Sequence, residues 1–237
     1  MPLPSIAVPH YFLQLPSTKE KIKYRPFLVK EEKILLIALE SEEQQQMVNA
    51  VKEIIFNCTY EKLDVAKLAM FDVEYVFLQI RAKSKGEELK LKFQCPQCQV
   101  ENELVVDLLK VKVKENDEHS NKIEINEEVG IIMKYPSIDS AGEFSTKLEN
   151  KGKADQLFDI IKTSIDSVYD KETTYKPSDY TKEELDTFIE GLPENAFLKI
   201  QTFFETMPKL RENKKYKCEK CSYEEEVTLE GLQNFLG

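Results

Sequence analysis

The sequence predicts an α+β fold, and three observations carry that prediction. Short alternating segments bounded by Pro, Gly and Ser occur near the start, in the middle and at the end of the chain. Longer segments between them carry apolar residues at three-and-four spacing, the period of a helix face. Two Cys-x-x-Cys pairs, Cys95/Cys98 and Cys218/Cys221, each interrupt a pair of strand-like segments.

Residues 10–15 and 21–24 read as a β-hairpin around Pro16-Ser17-Thr18-Lys19, where Pro and Ser favour chain reversal. Pro26 ends the second strand because it has no N–H for the ladder. Residues 29–40 read as a helix with Ile34, Leu35, Leu36, Ile37 and Leu39 almost all round, so it is expected to be buried. Ser41-Glu42-Glu43-Gln44 has capping-box spacing, closing that helix and opening another to about Cys58. A third helix over 64–83 places Leu68, Phe71, Tyr75 and Leu78 on one face.

The period changes at Gly86. Residues 89–93 and 103–106 alternate on either side of Cys95-Pro96-Gln97-Cys98, giving strand, thiol pair, strand. Further β-like segments follow at 111–114, 122–125 and 130–135, with a polar loop at 115–121 and a linker or exposed excursion at 136–153. From about Ala154 the pattern is helical, with Leu157, Ile161, Ile165 and Val168 on one face. Thr181-Lys182-Glu183-Glu184 is a second capping box, and Gly191 stands where that helix ends. Pro193 opens a last helix carrying Phe197, Ile200, Phe203 and Phe204, and Pro208 stops it. Strands at 215–217 and 223–229 flank the second thiol pair. The expected organisation is a hairpin and helical region over 1–85, then a zinc-ribbon-like β stem over 86–237. A long β and helical insertion, about 108–210, separates its two Cys-x-x-Cys hairpins.

Composition narrows the function. The chain has 237 residues, 43 acidic against 33 basic, a formal charge of −10 and 41% apolar residues, which fits a globular protein. No apolar run approaches the roughly 18 residues of a membrane-spanning helix. Residues 1–5 lack the basic start and apolar core of a signal peptide, so a reducing cytosol is the expected compartment. Neither familiar Gly-rich phosphate loop is present. With only His10 and His119 available, imidazole-based catalysis has little material, and no catalytic residue is assigned. Only Arg25, Arg81 and Arg211 are arginine, which weighs against nucleic-acid recognition, as does the acidic balance.

The chemistry lies in Cys95, Cys98, Cys218 and Cys221. Two tight turns bearing such pairs can complete a tetrahedral S4 cage, in which Zn²⁺ fits best and has a structural role because no coordination position is open. Lys214, Lys215, Lys217 and Lys220 stand beside the second pair and offset the charge of four thiolates. An iron–sulfur cluster accepts the same donors, and unpaired thiols are the third reading. Disulfides within each pair are strained, and redox catalysis prefers a helix N-terminus to a strand–strand turn. Gln99 and Ser222 occupy the place after each pair where knuckles often carry Gly. Cys58 follows Ile54, Ile55 and Phe56 and reads as a buried small residue.

Three blocks carry a likeness. The first runs from Leu15-Pro16-Ser17-Thr18 through Tyr24-Arg25-Pro26-Phe27-Leu28-Val29 to Ala38-Leu39-Glu40-Ser41. The second is Phe203-Phe204-Glu205-Thr206-Met207-Pro208-Lys209-Leu210, and the third is Leu229-Glu230-Gly231-Leu232-Gln233-Asn234-Phe235-Leu236. Together they resemble the baseplate hub assembly proteins of contractile-tailed phages of the T-even type. The resemblance implies a non-enzymatic role in building the baseplate hub, in host cytoplasm during assembly or in the virion tail. The implied partners are other hub or tail proteins, with a sub-variant in which the chain is a transient chaperone of the tape-measure protein. The block at Tyr24, Arg25, Pro26 and Phe27 is read as partner-facing, with core packing as the competing reading. A zinc-ribbon nucleic-acid binder, motivated by Lys214 to Lys220, is the alternative from another class.

Overall fold

The computed structural model describes residues 6–140 and 153–235. Most of the predicted 136–153 linker, the first five residues and Leu236 therefore lie outside the described residues. The α+β expectation holds. In chain order the elements are β1 (Tyr11–Gln14), β2 (Lys21–Tyr24), α1 (Val29–Ser41), α2 (Gln44–Cys58), α3 (Met70–Lys85), β3 (Glu88–Gln94), β4 (Glu101–Asp107), β5 (Lys112–Lys114), β6 (Lys122–Glu124), β7 (Gly130–Met133), α4 (Lys153–Ser164), β8 (Ile165–Tyr169), β9 (Thr174–Tyr175), α5 (Lys182–Glu190), α6 (Glu194–Thr206), β10 (Lys209–Lys217) and β11 (Glu224–Glu230). They form two compact units. The first takes the chain to Lys114 and again from Lys209, and the second is Glu115–Pro208.

In the first unit, β1 and β2 pair antiparallel with Leu13 opposite Ile22 and Tyr11 opposite Tyr24. Alternation puts Leu13, Ile22 and Tyr24 inside and Lys21 and Lys23 outside. The turn between them is held to α3, because the backbone N–H and hydroxyl of Ser17 both donate to the buried Asp72 carboxylate. β3 and β4 form one antiparallel hairpin, and β11, β10 and β5 form a three-stranded sheet in that order. Leu78 and Ala82 of α3 share a core with Leu89, Leu104 and Val106 of the first hairpin and Leu210 and Leu229 of the second.

Three helical expectations differ from the structure of the first unit. The helix over 29–40 forms but is not buried all round: Leu35 and Ala38 are inside, whereas Leu36, Ile37 and Leu39 are exposed. It packs on α2, and nothing among the described residues covers its other side. The Ser41 capping box does not form. The Ser41 hydroxyl donates to the Ala38 carbonyl and accepts from the Glu43 N–H, Glu42 takes a left-handed φ of 55°, and α2 begins at Gln44. With only two residues between the helices, Ser41 stays in the last turn of the first. The helix predicted from Asp64 starts instead at Met70, since Val65–Lys67 is a 3₁₀ turn and Leu68 and Ala69 are extended.

The second unit is a four-stranded antiparallel sheet, order β6-β7-β8-β9, with α4, α5 and α6. Ile123, Ile131, Met133, Ile161, Ile165, Ile189, Ile200 and Phe203 form its core. Ile165 and Val168 were expected to continue a helix face, but they lie in β8, paired with Met133 and Ile131. β-Branched side chains suit a pleated strand, and the ladder with β7 supplies the hydrogen bonds that helix continuation would have supplied. Thr181 does cap α5: its hydroxyl accepts from the Glu184 N–H at 3.2 Å and the Glu184 carboxylate accepts from the Thr181 N–H at 2.7 Å.

Candidate metal centre

The two thiol pairs sit on turns of the same construction. In the first, the Cys95 N–H donates to the Val100 carbonyl and the Gln99 N–H to the Cys95 carbonyl, each at 2.9 Å. In the second, the Cys218 N–H donates to the Tyr223 carbonyl at 2.8 Å and the Ser222 N–H to the Cys218 carbonyl at 2.9 Å. The last bond of each turn requires a left-handed residue, and Gln99 and Ser222 supply it with φ of 59° each. The position where Gly is usual is thus used in the usual way, by residues that carry a Cβ.

The geometry brings all four sulfurs together, within 4.8 Å of one another. The close pairs cross between turns: Cys95 Sγ lies 3.7 Å from Cys221 Sγ, and Cys98 Sγ lies 3.6 Å from Cys218 Sγ. A tetrahedral S4 site with bonds of about 2.3 Å has sulfur–sulfur edges of about 3.8 Å, so these separations are near the edges of such a cage. They are far beyond the roughly 2.05 Å of a disulfide bond. Cys95 and Cys218 are buried, Cys98 is half-buried and Cys221 is exposed, so the site opens on one side only.

The sulfurs share protons unevenly. The Cys218 thiol is pulled down to about 6, first by the backbone N–H of Cys221 and then by that of Lys220 against the cost of burial. The Cys221 thiol is pushed up to about 12: the Tyr223 N–H pulls it down, but the crowding of the Cys218, Cys98 and Cys95 sulfurs around it, with the loss of water on their side, outweighs that although the residue is exposed on its other side. Four negative sulfurs this close repel one another, and a cation among them is what lets all four lose their protons. The four thiols can therefore hold a metal ion.

Side chains behind the sulfurs align the two hairpins. Phe93 of β3 meets Tyr216 of β10 edge-on with centroids 4.2 Å apart, and the Tyr216 hydroxyl donates to Glu225 at 3.2 Å. Asn102 bridges the turns: its amide nitrogen donates to the Val100 carbonyl, and its oxygen accepts from the Glu219 N–H at 3.4 Å. Nothing in the sequence marks Asn102, which reads as an ordinary strand residue until β4 is placed beside the second turn. Of the four lysines expected to offset the thiolates, Lys217 pairs with Glu224 at 2.9 Å and Lys214 with Glu212 at 3.4 Å, so both are engaged by carboxylates.

The block at Tyr24–Phe27 lies elsewhere in the first unit. Tyr24, Arg25 and Pro26 are buried, and the half-buried Phe27 packs against Phe77 with the rings tilted at 53° and centroids 5.8 Å apart. Arg25 holds Glu31 in a two-point ion pair at 2.9 and 3.2 Å and also donates to the Pro26 carbonyl. Cys58 is buried with its sulfur 3.7 Å from Arg25, and burial pushes its thiol up to about 12, so it is an inert packing residue. His119, Tyr135 and Phe203 form a triangle of rings in the second unit, His119 lying 5.6 Å from Tyr135 and 5.1 Å from Phe203 by centroid, with Nδ1 2.9 Å from the Thr206 hydroxyl.

Fold and site together define the class: an α+β protein in which a zinc-ribbon-like stem joins the middle of the chain to its end. The chain belongs to the family described as T4 bacteriophage base plate protein, whose model matches residues 8–237. No curated protein and no solved structure matched. Membership makes this a phage tail baseplate protein, working in contact with other tail proteins. No helix among the described residues is long and apolar enough to cross a membrane.

Proposed function

We propose that this chain is a non-enzymatic subunit or assembly factor of the baseplate hub, acting through protein–protein contacts, with Zn²⁺ as a structural ion at Cys95, Cys98, Cys218 and Cys221. The observation that carries the reading is the extent of the family match, which takes in both thiol hairpins and everything between them. Zinc is favoured over an iron–sulfur cluster by two strand–turn–strand knuckles with sulfur separations of 3.6 and 3.7 Å, a closed four-donor set for one ion. In this reading residues 115–208 are an insertion carried on a metal-closed stem. The Tyr24–Phe27 block contributes to a partner surface indirectly: Arg25 ties the end of β2 to α1 through Glu31, and the exposed Phe12 on the outer face of the same hairpin is the candidate contact.

The nucleic-acid alternative, motivated by Lys214 to Lys220, is the less favoured reading, since two of those four lysines, Lys214 and Lys217, face carboxylates. Mass spectrometry of purified virions alongside pull-down from infected cells tests the role. Presence in the particle makes the chain a hub subunit. Absence from the particle with capture of hub proteins in cells makes it a transient factor, and capture of the tape-measure protein alone makes it that protein's chaperone. Capture of no tail protein in either setting overturns the proposal.

A further inference from the structure

We infer that α1 is a self-association surface, pairing antiparallel with α1 of a second copy of this chain. The proposal rests on the helix face that packing leaves open and is independent of the hub assignment. Val29, Lys33, Leu36, Ile37 and Glu40 are spaced i, i+4, i+7, i+8 and i+11, which places them along one side of the helix. All five are exposed, Val29 at 87%, Ile37 at 52% and Leu36 at 48%, and Leu39 extends the apolar flank at 44%. Glu31, Leu35 and Ala38 on the opposite side are buried. An apolar stripe of this kind with charged ends is the form of an interaction site rather than of a solvated surface.

Charge selects the occupant. Lys33 and Glu40 lie in the stripe itself, and neither makes an ion pair within the described residues. Their midpoint falls between Leu36 and Ile37. A two-fold axis at that point sets Lys33 of each copy against Glu40 of the other and Leu36 against Ile37. Both ion pairs and the apolar contact are then made by one operation, as a self-complementary interface requires. A parallel partner would set like charges together. The helix ends agree, since Glu40 lies in a last turn with no basic residue and gains a cation only from outside. The thirteen-residue helix is about 20 Å long, so the contact is small and the dimer reversible.

Sedimentation of the full chain over a range of concentrations is the test, using Lys33→Glu and Glu40→Lys. Both positions are exposed, so the variants fold, which circular dichroism checks. The wild type should dimerise with concentration, and each variant alone, with two like-charge contacts, should dimerise at least about fivefold more weakly. Mixing the two variants rebuilds both pairs and should restore association. A wild type that stays monomeric overturns the proposal, whether or not a helix of another tail protein is then found on the face. So does a dimer that neither reversal weakens, or a mixture no tighter than its components.

Discussion

At the scale of single residues, burial decides what a side chain is for. Arg25 is charged and sits in the most recognisable stretch of the sequence, yet its guanidinium is turned inward on Glu31, whose carboxylate also accepts the Leu28 N–H at 2.8 Å. Removing one member of a buried pair leaves the other charge without compensation, so Arg25→Ala should cost about 3–5 kcal/mol in urea unfolding of the first unit. The pair also sets an acid limit. Burial pulls the Glu31 carboxyl up, but Arg25 and the Leu28 N–H outweigh it and hold it below its ordinary value. A carboxyl lowered on folding contributes stability that is present above its unfolded value near pH 4.3 and lost as pH falls through the folded one. Acid titration of the first unit should therefore show a loss beginning below about pH 4, and Glu31→Gln should flatten it. Gln99 and Ser222 give the opposite case, a cost tolerated for geometry. Left-handed backbone at a residue with a Cβ costs about 1–2 kcal/mol, offset by the extra freedom of glycine when unfolded. Ser222→Gly should accordingly raise the midpoint of thermal unfolding slightly, by a gain of under about 1 kcal/mol.

At the scale of elements, local signals held where the chain could satisfy them by itself and failed where a neighbour intervened. The box at Thr181 and Glu184 is closed within four residues, and it forms as its spacing requires. Thr181→Ala should cost about 1 kcal/mol, seen as faster hydrogen exchange in the first turn of α5. The box at Ser41 has the same spacing, but α1 claims the serine hydroxyl through Ala38 first. Ile165 and Val168 fit the face of α4 by period, and only the pairing of β8 with β7 turns them into strand residues. Apolar residues all round α1 predicted burial because a helix apolar on every side normally has neighbours on every side. Periodicity carries no information on how many neighbours arrive.

At the scale of the molecule, the thiol cluster is a closure across 119 intervening residues, Gln99 to Lys217, and chelation is its direct test. In small zinc peptides the metal contributes on the order of 10 kcal/mol to folding. Removal should collapse hydrogen-exchange protection in β3, β4, β10 and β11 while the second unit, whose core is Ile131, Ile161 and Phe203, keeps its own. Metal analysis that finds neither zinc nor iron in protein purified without chelator would show that the four thiols hold no metal.

The sequence by itself determined which four cysteines pair into two Cys-x-x-Cys turns, the strand–turn–strand form of both turns and the α+β class, because each follows from residue type at short separation. It also carried the family likeness, in blocks spread along the chain. Tertiary structure alone decided that the two turns meet, that Asn102 and the Phe93–Tyr216 contact align them, that Arg25 faces inward and that one side of α1 is left open. Those facts depend on which surfaces are adjacent after folding, and adjacency between residues more than a hundred positions apart is not written in local spacing.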